Sequence, residues 1–145
     1  MTNKQKIEIL KEYRELLHEL DLLMESYLVL RAKLISAKIP QLKQDVIQCS
    51  MSDKQSEDLA EMVDLEQMIM TRRLDIINAK KTTISMINTV DNPDMREILI
   101  MRYLQLYSWD DIINLVDSSW ARVFKLHNLA IENISVKIID CEHPI

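Results

Sequence analysis

The chain has 145 residues, of which 48% are hydrophobic and 28% charged, and its formal net charge is −5. This composition is typical of a folded protein rather than a disordered one. The sequence contains no glycine. It therefore excludes the glycine-dependent phosphate loop, dinucleotide fingerprint and serine elbow, and it argues against tight β-hairpins.

The sequence carries no signal for a membrane span or a secretory leader. Cys49 and Cys141 are far apart and belong to no paired-cysteine motif, so we expect free thiols in a reducing cytoplasm. Cys141 lies next to Glu142 and His143, but three adjacent residues rarely form a closed metal site. No catalytic triad or Cys-His spacing stands out. We therefore predict no metal, no cofactor and no enzymatic activity.

The first part of the chain predicts a long amphipathic helix. From Ile7 to Leu34, apolar residues recur in the alternating steps of a coiled coil or a helical hairpin. The seam residues, which we predict to serve oligomerisation, are Leu10, Tyr13, Leu17, Leu20, Met24 and Tyr27. Pro40 is expected to end or kink this helix, and a linker is predicted around residues 40–56.

A second amphipathic helix is predicted from about Ser56 to about Thr89. Its inward stripe is predicted to contain Met62, Leu65, Ile69, Arg72, Ile76, Ala79, Thr83, Met86 and Val90. Methionines at helical spacing usually fill a core, and we favour that role over a binding groove. Two such helices pack as an antiparallel hairpin or pair with another subunit, so residues 1–90 are predicted to form a helical arm.

Residues 91–145 are predicted to form a second, smaller helical unit, which makes the predicted fold class all-α. Asn92 followed by Pro93 is a strong helix start, and Ser108 and Ser119 are expected to cap the next two helices. The predicted helices span about 93–106, 109–116 and 120–139. A short helix, a brief turn and a second helix form the helix-turn-helix arrangement, which presents the start of its second helix to the major groove.

This arrangement predicts a DNA-facing surface at the start of the last helix. The predicted DNA-binding residues are Ser119, Trp120, Ala121, Arg122, Lys125 and His127. Arg122 would form two hydrogen bonds with a guanine, and Lys125 would contact a phosphate or a base edge. The alternatives are a packed structural role for His127, and packing or a protein contact for Trp120. Neither half of the chain is strongly basic, which counts against tight DNA binding.

The stretch NPDMREILIMRYLQLYSWDDIINLVDSSWARVFKLHNLAI resembles region 4 of bacterial sigma factors. The matching residues are Arg96-Glu97, Met101-Arg102-Tyr103, Ser108 to Ile112, Ser119, Val123 and Ala130-Ile131. The helical arm and the segments SWDDI and RVFKLHNLAI resemble a more specific group. This group comprises small sigma-like regulators of phages and prophages in Gram-positive hosts, of the RinA and ArpU type. The turn glycine of that family is Asp117 here, its apolar turn residue is Ser118, and its basic first recognition-helix residue is Trp120.

The resemblance implies a phage-encoded transcription regulator of late genes that binds double-stranded DNA as a homo-oligomer and can also contact RNA polymerase. A second hypothesis stays open. The acidic balance, Trp120 and the missing turn glycine also suit a protein-interaction module derived from a helix-turn-helix. Such a module would be an antirepressor, or an inhibitor of RNA polymerase or of another phage or host regulatory protein, with little DNA binding.

Overall fold

The computed structural model describes the backbone of residues 1–44 and 52–135, and all regular structure within these ranges is helical. The all-α prediction is therefore confirmed. The helices are α1 (Asn3–Gln44), α2 (Asp53–Asn88), α3 (Pro93–Leu99), α4 (Trp109–Val116) and α5 (Trp120–Asn133), and a π-helical segment (Ile100–Leu104) continues α3. Within the described residues, no helix is long and apolar enough to cross a membrane. The predictions for Cys49 and for Cys141-Glu142-His143 lie outside these residues.

Reciprocal side-chain caps begin both long helices. The Thr2 N–H donates to Oε1 of Gln5 at 2.9 Å, and the Gln5 N–H donates to Oγ1 of Thr2 at 3.3 Å. Ser52 and Gln55 repeat this pair at 3.0 and 3.2 Å. Because this capping box satisfies exposed N–H groups at the helix start, α2 begins at Asp53, and the predicted start at Ser56 is wrong.

Helix α1 does not end at its proline. It continues past Pro40 to Gln44, so of the predicted end or kink at Pro40 the end does not occur. An interior proline removes one N–H donor and costs about 3 kcal/mol, a loss that a long helix can tolerate.

Two helix ends in the C-terminal part also differ from the prediction. Helix α5 ends at Asn133 and not near residue 139, because Ile134 adopts an extended backbone and buries its side chain. The Ser135 N–H then donates to Oγ1 of Thr89 at 3.0 Å. The helix predicted over 93–106 becomes α3 and the π-helical segment, and Leu106 takes a left-handed backbone with φ of 62°.

The chain divides into two compact units. The first unit comprises Met1–Leu16 and Asp75–Ile145, and the second unit is Leu17–Leu74. This division does not coincide with the predicted boundary at residue 90, because the start of α1 and the end of α2 share a core with α3 and α5.

The main core of the first unit joins residues from both ends of the sequence. Its buried members are Leu10, Met86, Ile87, Val90, Leu99, Tyr103, Ala130, Ile131 and Ile134. Leu10 is completely covered by its own chain, which corrects its predicted role in oligomerisation. The buried Lys6 lies beside it and donates from Nζ to the Ile131 carbonyl at 3.2 Å. A cation there suits the negative end of α5.

In the second unit, α1 and α2 run antiparallel. Three polar pairs connect them: Arg72 with Glu19 at 3.1 Å, Tyr27 with Glu66 at 2.9 Å, and Lys33 with Asp58 at 3.3 Å. The predicted seam residues Leu17, Leu20, Met24 and Tyr27 are half-buried against their own chain, as is Tyr13 in the first unit. The inward stripe predicted for α2 is confirmed, since every member is buried or half-buried.

Candidate nucleic-acid interface

Helix α4 is built from local capping chemistry. The Asp111 N–H donates to Oγ of Ser108 at 3.2 Å, so Ser108 caps the helix as predicted. Asp110 and Asp111 lie in the first turn, where negative charge complements the helix dipole. The helix ends at Asp117, which has a left-handed backbone (φ 49°, ψ 53°) and donates its N–H to the Ile113 carbonyl. Aspartate therefore occupies a left-handed conformation that glycine adopts at no steric cost.

The turn between α4 and α5 consists of Asp117, Ser118 and Ser119. The Ser118 N–H donates to the Ile113 carbonyl at 3.4 Å, and Oγ of Ser119 accepts the Arg122 N–H at 3.3 Å. Ser119 is thus the cap of α5, as predicted. The Ser119 hydroxyl therefore caps α5, at a residue that the sequence also predicts to contact DNA.

A second buried cluster holds α4 and α5 together. It contains Ile98, Met101, Ile112 and Val123, with Trp109, Ile113, Val116 and Leu126 packed against it. Ile112 and Val123 are fully buried, so each helix contributes one central residue to the contact. This packing fixes which side of α5 is left exposed.

Most of the predicted DNA-binding residues lie on that exposed side. Ser119, Trp120, Ala121, Arg122 and Lys125 are all exposed, and their side chains lie at the first two turns of α5. Asn128, which follows Lys125 by one further turn, is exposed as well and was not predicted. Its spacing from Ala121 and Lys125 is the sequence signal that it shares their helix face.

His127 is the exception among the predicted site residues. It is only 6% exposed, and its Nε2 lies 2.8 Å from the hydroxyl of Tyr103. Because the imidazole is enclosed by its own chain, the prediction of a DNA contact at His127 is wrong in this structure. The alternative of a packed structural histidine agrees with its burial.

The protonation states of this pair follow from their surroundings. Burial raises the pKa of Tyr103 to about 12. Burial also lowers the pKa of His127, and the charges of Arg102 and Lys11 lower it further, whereas a hydrogen bond with Asn128 opposes the change. At neutral pH a protonated phenol and a neutral imidazole therefore share this hydrogen bond.

Aromatic rings connect Trp120 to the interior. Trp120 stacks on Phe124 at 5.3 Å, Phe124 contacts Trp109 at 4.8 Å, and Trp109 meets the edge of His127 at 4.9 Å between ring centroids. The guanidinium of Arg102 lies 4.7 Å over the Trp109 ring. Phe124 was not predicted as part of the site, although its four-residue spacing from Trp120 indicates a shared helix face.

Acidic residues lie close to Arg122. Arg122 lines a shallow open cavity of about 240 Å³ together with Asp94, Glu97 and Asp117. These carboxylates reduce the positive potential that Arg122 can offer to a phosphate. Among the described residues, no group of His, Cys, Asp and Glu could hold a metal ion.

The described residues thus form an all-helical protein. Two of its short helices, α4 and α5, are joined by a three-residue turn, and α5 exposes Arg122 and Lys125. Residues 33–135 match the family described as Protein of unknown function (DUF1492), and the chain belongs to this family. No curated protein and no solved structure matches the chain.

Proposed function

We propose that this protein is a phage-encoded, sequence-specific DNA-binding regulator of transcription that acts on late genes as an oligomer. In this proposal, α4, the turn and α5 form a helix-turn-helix similar to sigma factor region 4, and the long helices form an arm that supports oligomerisation. One observation carries the proposal. The first two turns of α5 expose Ala121, Arg122 and Lys125 while Val123 is fully buried against α4 and α3.

The chemistry of this surface fits the major groove. A recognition helix reads bases with residues of its first turns, and arginine forms two parallel hydrogen bonds with guanine. Lys125, one turn further on, is positioned for a phosphate or a base edge. The small side chain of Ala121 leaves room for a thymine methyl group or for close approach of the backbone.

The charge balance explains why the proposal includes an oligomer. The chain carries a net charge of −5, and carboxylates adjoin Arg122, so one subunit neutralises few phosphates. Two linked subunits bind two half-sites, and the second contact benefits from a high effective concentration. Contact with RNA polymerase, as in sigma region 4, would be a second source of affinity.

The test is selection from fragmented DNA of the source genome, in which bound fragments are recovered at moderate salt and sequenced. We expect one enriched site for the wild type and none for Arg122→Ala. Lys81→Ala is the matched control, because it removes an exposed positive charge from α2. For Lys125→Ala, the slope of log K against log [salt] should fall by about 0.9 per lost phosphate contact. Flat recovery from folded wild-type protein would refute autonomous DNA recognition.

A protein-interaction module is the second candidate function, and the exposed Trp120 favours it. Trp120 is 48% exposed and stacks on Phe124, which gives this end of α5 an aromatic surface. Tryptophan is enriched among the residues that dominate the affinity of protein interfaces. The partner of such a module would be RNA polymerase, a phage repressor or another host factor.

The two candidates respond differently to substitutions. A protein-interaction module should keep binding RNA polymerase or a phage repressor in Arg122→Ala and Lys125→Ala, and lose it in Trp120→Ala. A DNA-binding regulator should instead recover less DNA from its site in the selection when Arg122 or Lys125 is replaced by alanine. Leu115→Ala, which truncates an exposed apolar residue on α4, is the control for Trp120→Ala.

A further inference from the structure

Helix α2 has a second apolar face that the described part of the chain leaves uncovered. Within the second unit this face comprises Ala60, Val63, Gln67, Met70 and Leu74, all of them exposed. Val63 is 44%, Met70 65% and Leu74 63% exposed, whereas Ile69 on the inward stripe is 7% exposed. Scattered exposed apolar residues are ordinary on a protein surface, but these recur at helical spacing on one side. We call this set the α2 outer face.

The spacing of the α2 outer face is that of a coiled-coil seam. With Val63 and Met70 at the d positions of successive heptads, Gln67 and Leu74 take the a positions. Glu66 and Arg73 then both fall at the g position, beside the seam, and both are exposed. This seam lies on the side of α2 that faces away from Ile69.

The charges at g specify a partner helix. In an antiparallel pair, residues at g face residues at g of the other helix, and those at a face d. Val63 would then meet Leu74 of a second copy, and Met70 would meet Gln67. In that same register Glu66 lies opposite Arg73 of the second copy, and symmetry creates the contact twice. A parallel pair would place Glu66 opposite Thr71 and lose both charge contacts.

Self-complementarity distinguishes a second copy from other helices. A two-fold interface needs one surface that carries both members of every contact, and the α2 outer face carries both the acid and the base. Glu66 accepts a hydrogen bond from Tyr27 through Oε1 at 2.9 Å. A carboxylate has about four acceptor sites, so this bond is compatible with an added arginine and holds Glu66 in position.

We infer that the α2 outer face is the contact surface of a symmetric antiparallel homodimer, with Glu66 paired to Arg73 of the second copy. The dimer thus forms on the side opposite to the seam of α1 and α2. Gln67 at an a position fixes the register at some cost in affinity, as polar seam residues do. The inference does not depend on DNA binding, because the surface lies away from α5 in the sequence and is tested without DNA.

The test uses full-length protein in sedimentation velocity over a wide concentration range, with circular dichroism to verify folding. We expect the wild type to shift from monomer to dimer as its concentration rises, and Leu74→Glu to remain monomeric. Leu115→Glu, an equal change at another exposed leucine, should dimerise like the wild type. A wild type that is monomeric throughout, or a dimer that persists in folded Leu74→Glu, would overturn the inference.

Charge reversal tests the antiparallel register. Glu66→Arg and Arg73→Glu should each lose the homodimer, because like charges then face each other twice. A mixture of the two variants should form heterodimers, and the double variant Glu66→Arg/Arg73→Glu should recover the homodimer. Failure of both rescues would overturn the proposed pairing. A wild type that dimerises but enriches no DNA site would leave this inference standing and refute the proposed DNA-binding function.

Discussion

The hydroxyl of Tyr103 lies 2.8 Å from Nε2 of His127, and this contact joins the π-helical segment to the inward side of α5. Both side chains are buried, and Trp109 meets the same imidazole at its edge. A buried polar pair of this kind is costly to break, because each group loses water on folding and gains the other as a hydrogen-bond partner. The pair therefore helps to determine how α5 presents its outer side.

Removal of the Tyr103 hydroxyl should destabilise the protein. Tyr103→Phe keeps the ring but removes the hydrogen bond between the Tyr103 hydroxyl and the buried Nε2 of His127, so we expect a loss of about 1–3 kcal/mol in the free energy of unfolding. Urea denaturation followed by circular dichroism measures this value. Tyr107→Phe, at an exposed position, is the control and should change it little. Equal effects of the two variants would contradict a specific role for the Tyr103–His127 pair.

The same pair should make stability depend on pH. Burial lowers the pKa of His127 below its ordinary value of 6.5, so the unfolded chain binds the proton more readily than the folded one. By linkage, the stability that neutral His127 contributes is present above pH 6.5 and is lost as pH falls from 6.5 through the lowered pKa.

Denaturation at a series of pH values measures this loss for the wild type and for His127→Gln, whose amide can still accept from Tyr103. We expect the slope below pH 6.5 to decrease in that variant. His18→Gln, at an exposed position, should keep the wild-type slope. An identical slope in His127→Gln would show that other groups cause the pH dependence.

Replacement of Thr83 by valine should stabilise the protein. Thr83 is fully buried, and its Oγ1 has no hydrogen-bond partner among the described residues. An unsatisfied buried hydroxyl costs about 1–3 kcal/mol, and valine removes it with almost no change in shape. We expect Thr83→Val to raise the free energy of unfolding. Thr71→Val is the control, because that exposed hydroxyl donates to the Gln67 carbonyl at 3.1 Å. A less stable Thr83→Val protein would contradict this account.

A glycine at the turn should also stabilise the fold. Asp117 is exposed and left-handed, and a non-glycine residue in that region costs about 1–2 kcal/mol, less for aspartate than for most residues. We therefore expect Asp117→Gly to raise the melting temperature. Leu115→Gly, in the helical part of α4, should lower it, since glycine costs about 0.8 kcal/mol relative to leucine there. Thermal denaturation of both variants gives the comparison, and a change of the same sign in both would contradict the turn argument.

Local chemistry is the part of this fold that the sequence predicts well. Asn92, Ser108 and Ser119 all cap helices as predicted, because a cap depends only on residues two or three positions away. The inward stripe of α2 follows from periodicity alone. The bounds of α4 and the left-handed backbone of Asp117 were also accessible from turn and cap preferences.

Contacts between distant segments account for what the sequence does not predict. Helix α5 ends early because Ile134 is buried in the main core and the Ser135 N–H donates to Oγ1 of Thr89. Thr89 lies 46 positions away in the sequence. The burial of His127 depends on a tyrosine 24 positions earlier. Exposure of Arg122 and Lys125 agrees with the predicted site, but exposure alone does not identify a ligand, so their role in DNA binding stays a prediction.

The contact between Lys6 and Ile131 has a consequence for the order of events during protein synthesis. These residues are 125 positions apart, and at about 5–20 residues per second the ribosome needs about 6–25 s to progress from one to the other. Throughout that interval Leu10 lacks its partners Ala130, Ile131 and Ile134. The cover that these three residues give to Leu10 therefore forms late, and the segment of α1 around Leu10 keeps part of its core-facing side in water until then.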